Sequence, residues 1–348
     1  MLDVASRYRG RSALITGGLG FIGSNLARRL VEAGGVDVAI VDALVADQGG
    51  NRFNLHGLED RARVHVADVA RAPLDDLLRG VDCVFHLAGS TSHVDSMEEP
   101  ARDLELNCGA SLALLEACRR VNPSVKVVFT STRQVYGRAL ALPVDESHRV
   151  APPDVNAIHA LAAEHYHLLY RRLYGLGTVV VRLTNVYGPR QLVRHPRQSF
   201  IAWFIRQAID GGVIELFGDG RQRRDLNHVD DVVDALLLAG ASDAADGEIF
   251  NLGGVEAPTV AELAAELVAL TGRGTTRTVP FPHARRLIDI GDFQGSFRKI
   301  ETVLGWRPRT PLRDGLRATI DFYERHREPY WSSEPAPAWA APSPARRA

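Results

Sequence analysis

Two lysines, Lys126 and Lys299, stand against 39 arginines in a chain of 348 residues. A coding bias toward arginine accounts for much of that shortage. Cysteine is almost as scarce. Cys83, Cys108 and Cys118 show no metal-ligand or disulfide spacing, which excludes a stapled secreted scaffold and a zinc site. They read as small buried hydrophobes in a protein of a reducing, cytoplasmic compartment. No apolar run reaches about 18 residues, and the N-terminal stretch MLDVASRYRGRSALIT has no secretory apolar core, so no membrane span is expected. Charge of one sign is missing too. A net charge of -1 gives no electrostatic footprint for nucleic acid or an anionic membrane. No internal repeat is present.

What is present is alternation. Short apolar runs at 12–16, 37–42, 63–68, 83–89, 126–132 and 178–184 read as strands, rich in Val and Ile and unbroken by polar residues. Such runs suit a parallel sheet buried on both faces. Helical patterns such as SNLARRLVEAG and ASLALLEACRR lie between them, which predicts a doubly wound α/β fold. Beyond about residue 185 the pattern loosens, with helices expected at 200–210, 230–240 and 259–271. The expected division is a Rossmann domain at 8–185 that also receives about 226–255. A smaller, discontinuous substrate lobe follows at 186–225 and 256–328, then a disordered Pro/Ala-rich tail at 329–348.

The segment TGGLGFIG (16–23) follows the first strand and opens the first helix. Gly17, Gly20 and Gly23, with Phe21 and Ile22, allow a tight turn and bring backbone N–H groups to a pyrophosphate at the helix N-terminus. The second strand ends at Asp42, 19 residues beyond Gly23. A carboxylate there accepts hydrogen bonds from an adenosine ribose and repels a 2′-phosphate, which points to NAD rather than NADP.

With that loop, HLAG (86–89), STRQVYG (131–137), RLTNVYGPR (182–190), GDGRQRRDLNHVDD (218–231), FNLGG (250–254) and LGWRPRTPLRDGL (304–316), the chain resembles the extended short-chain dehydrogenase/reductases, specifically the NAD-dependent nucleotide-sugar epimerases and dehydratases. The resemblance covers about residues 10–326. It implies Asp68 and Val69 beside adenine, Leu87, Ala88 and Gly89 lining the cofactor, and Thr91 near the nicotinamide ribose. It implies Ser96, Arg133, Asn185, Phe217, Arg224 and Arg286 on the side of a nucleotide-diphosphate sugar. Guanidinium forks suit diphosphate oxygens and an aromatic face can carry a base. It also implies a homodimer built on helices at about 100–120 and 155–174, where Tyr166, Tyr170 and Tyr174 form a stripe.

One departure matters. The resemblance implies a catalytic Tyr eight residues, and a Lys four residues, before a helix Glu. In PDVNAIHALAAE (153–164), counting back from Glu164 gives Asn156 and Ala160. Arginine bias does not explain Ala160, since a drifting Lys would become Arg. Asn156 hydrogen-bonds but takes no proton near pH 7. Thr132, four residues before Tyr136, remains. Two histidines are candidate substitutes because imidazole titrates near pH 6.5. His159 shares a helix face with Asn156, and His93 follows the fourth strand with Asp95 to orient it. The implied dehydratase run Thr-Asp-Glu reads Thr132-Arg133-Gln134 here, without either carboxyl group. Arg133 is expected to bind an acidic group such as a uronate carboxylate, or to pair with Glu146. The reading is NAD-dependent 4-epimerisation of a nucleotide-activated sugar. The alternatives are a non-catalytic NAD- or sugar-nucleotide-binding partner, or a dehydratase or uronate decarboxylase.

Overall fold

The computed structural model describes residues 4–332. Seven parallel strands form the main sheet: β1 (Ser12–Thr16), β2 (Asp37–Asp42), β3 (Arg63–Val66), β4 (Cys83–His86), β5 (Lys126–Thr132), β6 (Gly177–Leu183) and, after three strands that lie elsewhere, β10 (Ile249–Asn251). The intervening β7 (Asn185–Tyr187) and β9 (Leu226–His228) pair with each other, while β8 (Val213–Phe217) pairs with β11 (Thr275–Val279). The main-sheet order is β10-β6-β5-β4-β1-β2-β3. The chain winds one way from β1 to β3 and the other way from β4 onward. The order therefore reverses between β1 and β4, the point at which open α/β sheets leave a crevice beyond their carboxyl ends.

Both faces of the sheet are covered. On one, the helices Phe21–Ala33 and Val229–Gly240 pack against Ile15, Ile40, Phe85 and Val128. On the other, Leu114, Leu115 and Cys118 of the helix Ala110–Val121, with Tyr170 of Val155–Tyr174, cover Leu14, Val84 and Val127. A second core joins the helices Phe200–Asp210, Val260–Thr271 and Leu312–Arg325 to β8. Local signals set the ends. Ser199 caps Phe200–Asp210, Thr259 and Glu262 form a reciprocal capping box, and Gly175 closes Val155–Tyr174 in the left-handed region (φ 73°).

The structure corrects three expectations. The fourth strand stops at His86, because Leu87–Gly89 leave the sheet to line the crevice. The helix at about 100–120 is broken: a π-helical turn, Leu104–Gly109, separates Pro100–Asp103 from Ala110–Val121. The tail does not lose structure at 329. Arg327–Trp331 is helical, and the buried Tyr330 hydroxyl donates to Asn54 Oδ1 at 2.6 Å. Residues 333–348 of that tail lie outside the described residues. The three cysteines are free and buried, as expected.

Candidate active site

A cavity of about 620 Å³ lies beyond the carboxyl ends of β1, β2, β4 and β5. Gly17, Gly20, Phe21, Ile22 and Gly23 form one wall. Gly17 has φ +71°, and a Cβ there would meet Ala88 N at 2.9 Å; on Gly23 it would meet Gly17 O at 2.2 Å. No side chain caps the helix at Gly20 and no acid occupies its first turn, so its amides are free to meet a pyrophosphate. At the end of β2, Asp42 accepts from Leu44 N (2.8 Å) and Leu19 N (2.9 Å) and still faces the cavity. Burial raises its pKa despite those amides. Asp68, Val69, Leu87, Ala88, Gly89 and Thr91 complete this half. The backbone cradle and the acid at the end of β2 together fit a dinucleotide.

Behind this wall runs a relay. Thr16 Oγ1 accepts from the amides of Leu87 and Ala88 (3.2 Å each) and contacts His86 Nδ1 at 2.7 Å. His86 Nε2 meets Ser111 Oγ (3.0 Å), which donates to Asn107 O. Burial, then neighbouring His167, pushes His86 down to about 3, so the ring is neutral. Asn107, on the π-helical turn, accepts from Ser90 N at 2.9 Å and lines the cavity with its Nδ2 buried and unpartnered. Sequence reasoning missed it; a π-turn leaves no periodic signature, although such turns recur at functional sites.

Asn156, Ala160 and Thr132 share the next wall. Asn156 Nδ2 donates to Ser90 O (2.8 Å) and Asp103 Oδ2 (3.0 Å). His159 is not on the cavity. Its Nδ1 meets Asp103 Oδ1 at 2.7 Å, so the ring is spent on a structural acid. Ser96 does not line the cavity either. Its Oγ accepts from Asn156 N at 3.2 Å and donates to His93 O, fixing the two helix starts against each other.

His93 does line the cavity, with 31% of its side chain exposed. Its Nδ1 lies 3.1 Å from Asp154 Oδ2, an ion-pair contact without hydrogen-bond alignment. Asp154, not Asp95, is therefore the acid behind it; Asp95 turns to Arg197 at 3.3 Å. Asp154 also caps the helix Val155–Tyr174 and accepts from Gln134 Nε2 (3.0 Å). Burial pushes its carboxyl up, but the His93 ring, the Ala157 amide and Gln134 outweigh that and hold it below the usual range. Tyr136 is locked elsewhere, accepting from Arg182 Nη1 and donating to Asn251 Oδ1, each at 2.7 Å.

The far half holds Asn185, Phe217, Arg224 and Arg133. Arg285 lines the cavity, whereas Arg286 lies off it over the Phe281 ring. Arg285 stands 5.5 Å over Phe217, itself 5.6 Å from Phe281, so two aromatic rings and a guanidinium form one platform. Arg224 is tied to Asp289 (2.8 Å) and Gly291 O. The expected Arg133–Glu146 pair does not form: Glu146 accepts from Asn251 N at 2.6 Å. Among the described residues there is no metal-ligand cluster and no helix long and apolar enough to cross a membrane.

Residues 13–253 match the model of the NAD dependent epimerase/dehydratase family. A UDP-glucose 4-epimerase of Mycolicibacterium smegmatis is 37% identical over 317 residues, covering 89% of this chain and 97% of its own. A dTDP-glucose 4,6-dehydratase of Streptomyces niveus is 33% identical over 95% of this chain and 98% of its own. The crystal structure of a UDP-glucose 4-epimerase from Thermotoga maritima, with UDP-glucose, superimposes with a TM-score of 0.83 at 32% identity, covering 91% of this chain and 100% of that one.

Proposed function

The chain belongs to the NAD dependent epimerase/dehydratase family, and from that premise we propose that it interconverts the C4 epimers of a nucleotide-activated sugar with His93 as its proton carrier. NAD supplies a reversible hydride acceptor when it occupies the cradle made by Gly17–Gly23 and Asp42. The observation that carries the reading is the pairing of cavity-facing His93 with buried Asp154, 3.1 Å apart, on the same cavity as Thr132 and Asn156. Asp154 turns the Nδ1–H side of the ring toward itself and leaves Nε2 for the substrate. His93 takes the C4 hydroxyl proton as C4 is oxidised. Asn156 Oδ1 accepts from the sugar hydroxyl before oxidation, the Thr132 hydroxyl donates to the keto oxygen, and His93 returns the proton after reduction on the opposite face. Elimination of water from C5 and C6 lacks its carboxyl pair, since Arg133 and Gln134 occupy that run.

The diphosphate falls to Arg224 and Arg285, and the base to the Phe217–Phe281 platform. A second copy is the natural partner. Leu104, Ile158, Leu173 and Tyr174 are exposed apolar side chains on the Leu104–Gly109 turn and the helix Val155–Tyr174, part of which a twofold pairing would cover. Light scattering at micromolar concentration should give twice the chain mass; a monomer refutes the pairing. The buried free cysteines suit a reducing, cytoplasmic setting.

Incubating the NAD-loaded protein with UDP-, dTDP-, GDP- and CDP-sugars, with products read by NMR and mass spectrometry, tests the function. A C4 epimer of unchanged mass is expected. Loss of water would establish dehydration instead. Tight binding of NAD and a sugar nucleotide without turnover would establish a non-catalytic binding protein, the reading that Asn156 and Ala160 favour.

A further inference from the structure

Arg133 is a cation with no ion-pair or hydrogen-bond partner among the described residues. It lines the cavity directly after Thr132, and its Nε is buried with no hydrogen-bond partner. Its guanidinium carbon lies 5.6 Å from the centroid of the Phe293 ring, an apolar support for the planar fork. Every nearby acid is already engaged. Asp289 holds Arg224 at 2.8 Å. Asp225 accepts from Thr184 and from Gly295 N (2.8 Å), and burial pushes its carboxyl up. Glu146 faces Asn251 N. Gln134, the next residue, spends its amide on Asp154 and on Ile288 O (3.0 Å each). Burial, then the charge of Arg224, lowers the Arg133 pKa to about 10 against the pull of Asp225 and Asp289, which leaves it a cation at neutral pH.

A partly buried charge with no hydrogen-bonded counter-ion is costly to keep, and a fork of fixed geometry is best satisfied by a carboxylate held through two parallel hydrogen bonds. Position selects the source of that carboxylate. Thr132 is the hydroxyl placed at the reacting end of the sugar, and Arg133 is its immediate neighbour at the end of β5. We propose that Arg133 takes the carboxylate of the sugar itself, so that the substrate is a nucleotide-activated uronic acid rather than a neutral hexose. This rests on the nucleotide-sugar reading above. The other anion within the same ligand, its diphosphate, already has Arg224 and Arg285 on the cavity wall.

Calorimetric titration of the NAD-loaded protein separates the possibilities. The probes are UDP, the pair UDP-glucose and UDP-glucuronate, and the pair GDP-mannose and GDP-mannuronate, against wild type, Arg133→Met and Arg133→Lys, with NAD affinity as the control for folding. In at least one pair the wild type should bind the acid about 30-fold or more tighter than the neutral sugar. Arg133→Met should erase that gap and leave UDP affinity unchanged, and Arg133→Lys should restore part of it. Equal wild-type affinity within both pairs, or a loss in Arg133→Met that is the same for UDP, neutral and acidic ligands, overturns the proposal. The second of those outcomes assigns Arg133 to the diphosphate. Binding of NAD but of no sugar nucleotide overturns the nucleotide-sugar reading along with it.

Discussion

Both amide hydrogens of Asn156 are consumed by the protein, one on Ser90 O and one on Asp103 Oδ2. Two acceptors on that side fix the amide orientation and leave Oδ1 as the only atom for a ligand. Asn156 thus receives a hydrogen bond from a sugar hydroxyl but neither donates one nor takes the proton. His93→Gln should lower kcat by at least about tenfold, since general bases contribute on the order of 10²–10⁴. His159→Gln should cost far less, because its ring serves Asp103. Equal losses in the two variants would remove His93 from the proposed role. At this scale the Gly17–Gly23 turn and the place of Asp42 on the cavity wall could be read from the sequence, because only glycine tolerates those backbone approaches and the acid comes at a fixed distance. The Asp154 partnership could not be: 61 residues separate it from His93, and only the packing of two helix starts brings them together. That Arg285 rather than Arg286 lines the cavity was hidden for a similar reason. The stretch 282–292 has no periodic pattern to fix its register, so the family spacing had nothing to lock onto.

The helix Val155–Tyr174 holds Asn156 in place through a buried network rather than through propensity. Glu164 and Arg182 are 1% and 4% exposed and form a two-fold bridge (2.9 and 2.6 Å) from this helix to β6. Ser131 on β5 donates to Glu164 at 2.5 Å, and Arg182 continues to Tyr136. Removing one partner strands the other, so Arg182→Met should destabilise the fold by about 3–5 kcal/mol. The double change Glu164→Leu with Arg182→Met should recover much of it. Chemical denaturation reads both, and a double variant no more stable than the single one would contradict the account. The first six strands of the main sheet were legible because burial on both faces writes continuous Val/Ile runs. The three-residue strands β7, β9 and β10 were not, since so short a segment carries no period. The π-turn at Leu104–Gly109 escaped for the same reason.

Across the whole molecule, the core carries two neutral histidines. His86, Phe129 and His167 stack between the sheet and the helix Val155–Tyr174, with Phe129 and His167 rings 4.4 Å apart. Burial, then the charge of His167, pushes His86 down to about 3; burial pushes His167 down to about 4. Both folded-state values lie below the unfolded value near 6.5, so as pH falls below about 6.5 the unfolded chain gains protons and the folded chain does not. Stability should drop from pH 6.5 toward 4, by about 3 kcal/mol from His167 alone. Melting temperatures across that range should show the slope, and His167→Phe should flatten it; an unchanged slope would count against His167 as its source. The same sheet also has a consequence for synthesis. The face that Phe21–Ala33 covers in part is completed by Val229–Gly240, by Phe250 of β10 and by Trp306, whose Nε1 donates to Asp231 O at 2.8 Å. The first six strands are complete by residue 183, yet the segments that finish sealing them, from Val229 to Trp306, are translated 46–123 residues later. At about 5–20 residues per second, a nascent chain waits roughly 6–24 s between residue 185 and Trp306 with that apolar face open. A ribosome-bound intermediate stalled in that interval should therefore recruit holdase chaperones, and release them once Trp306 has cleared the exit tunnel.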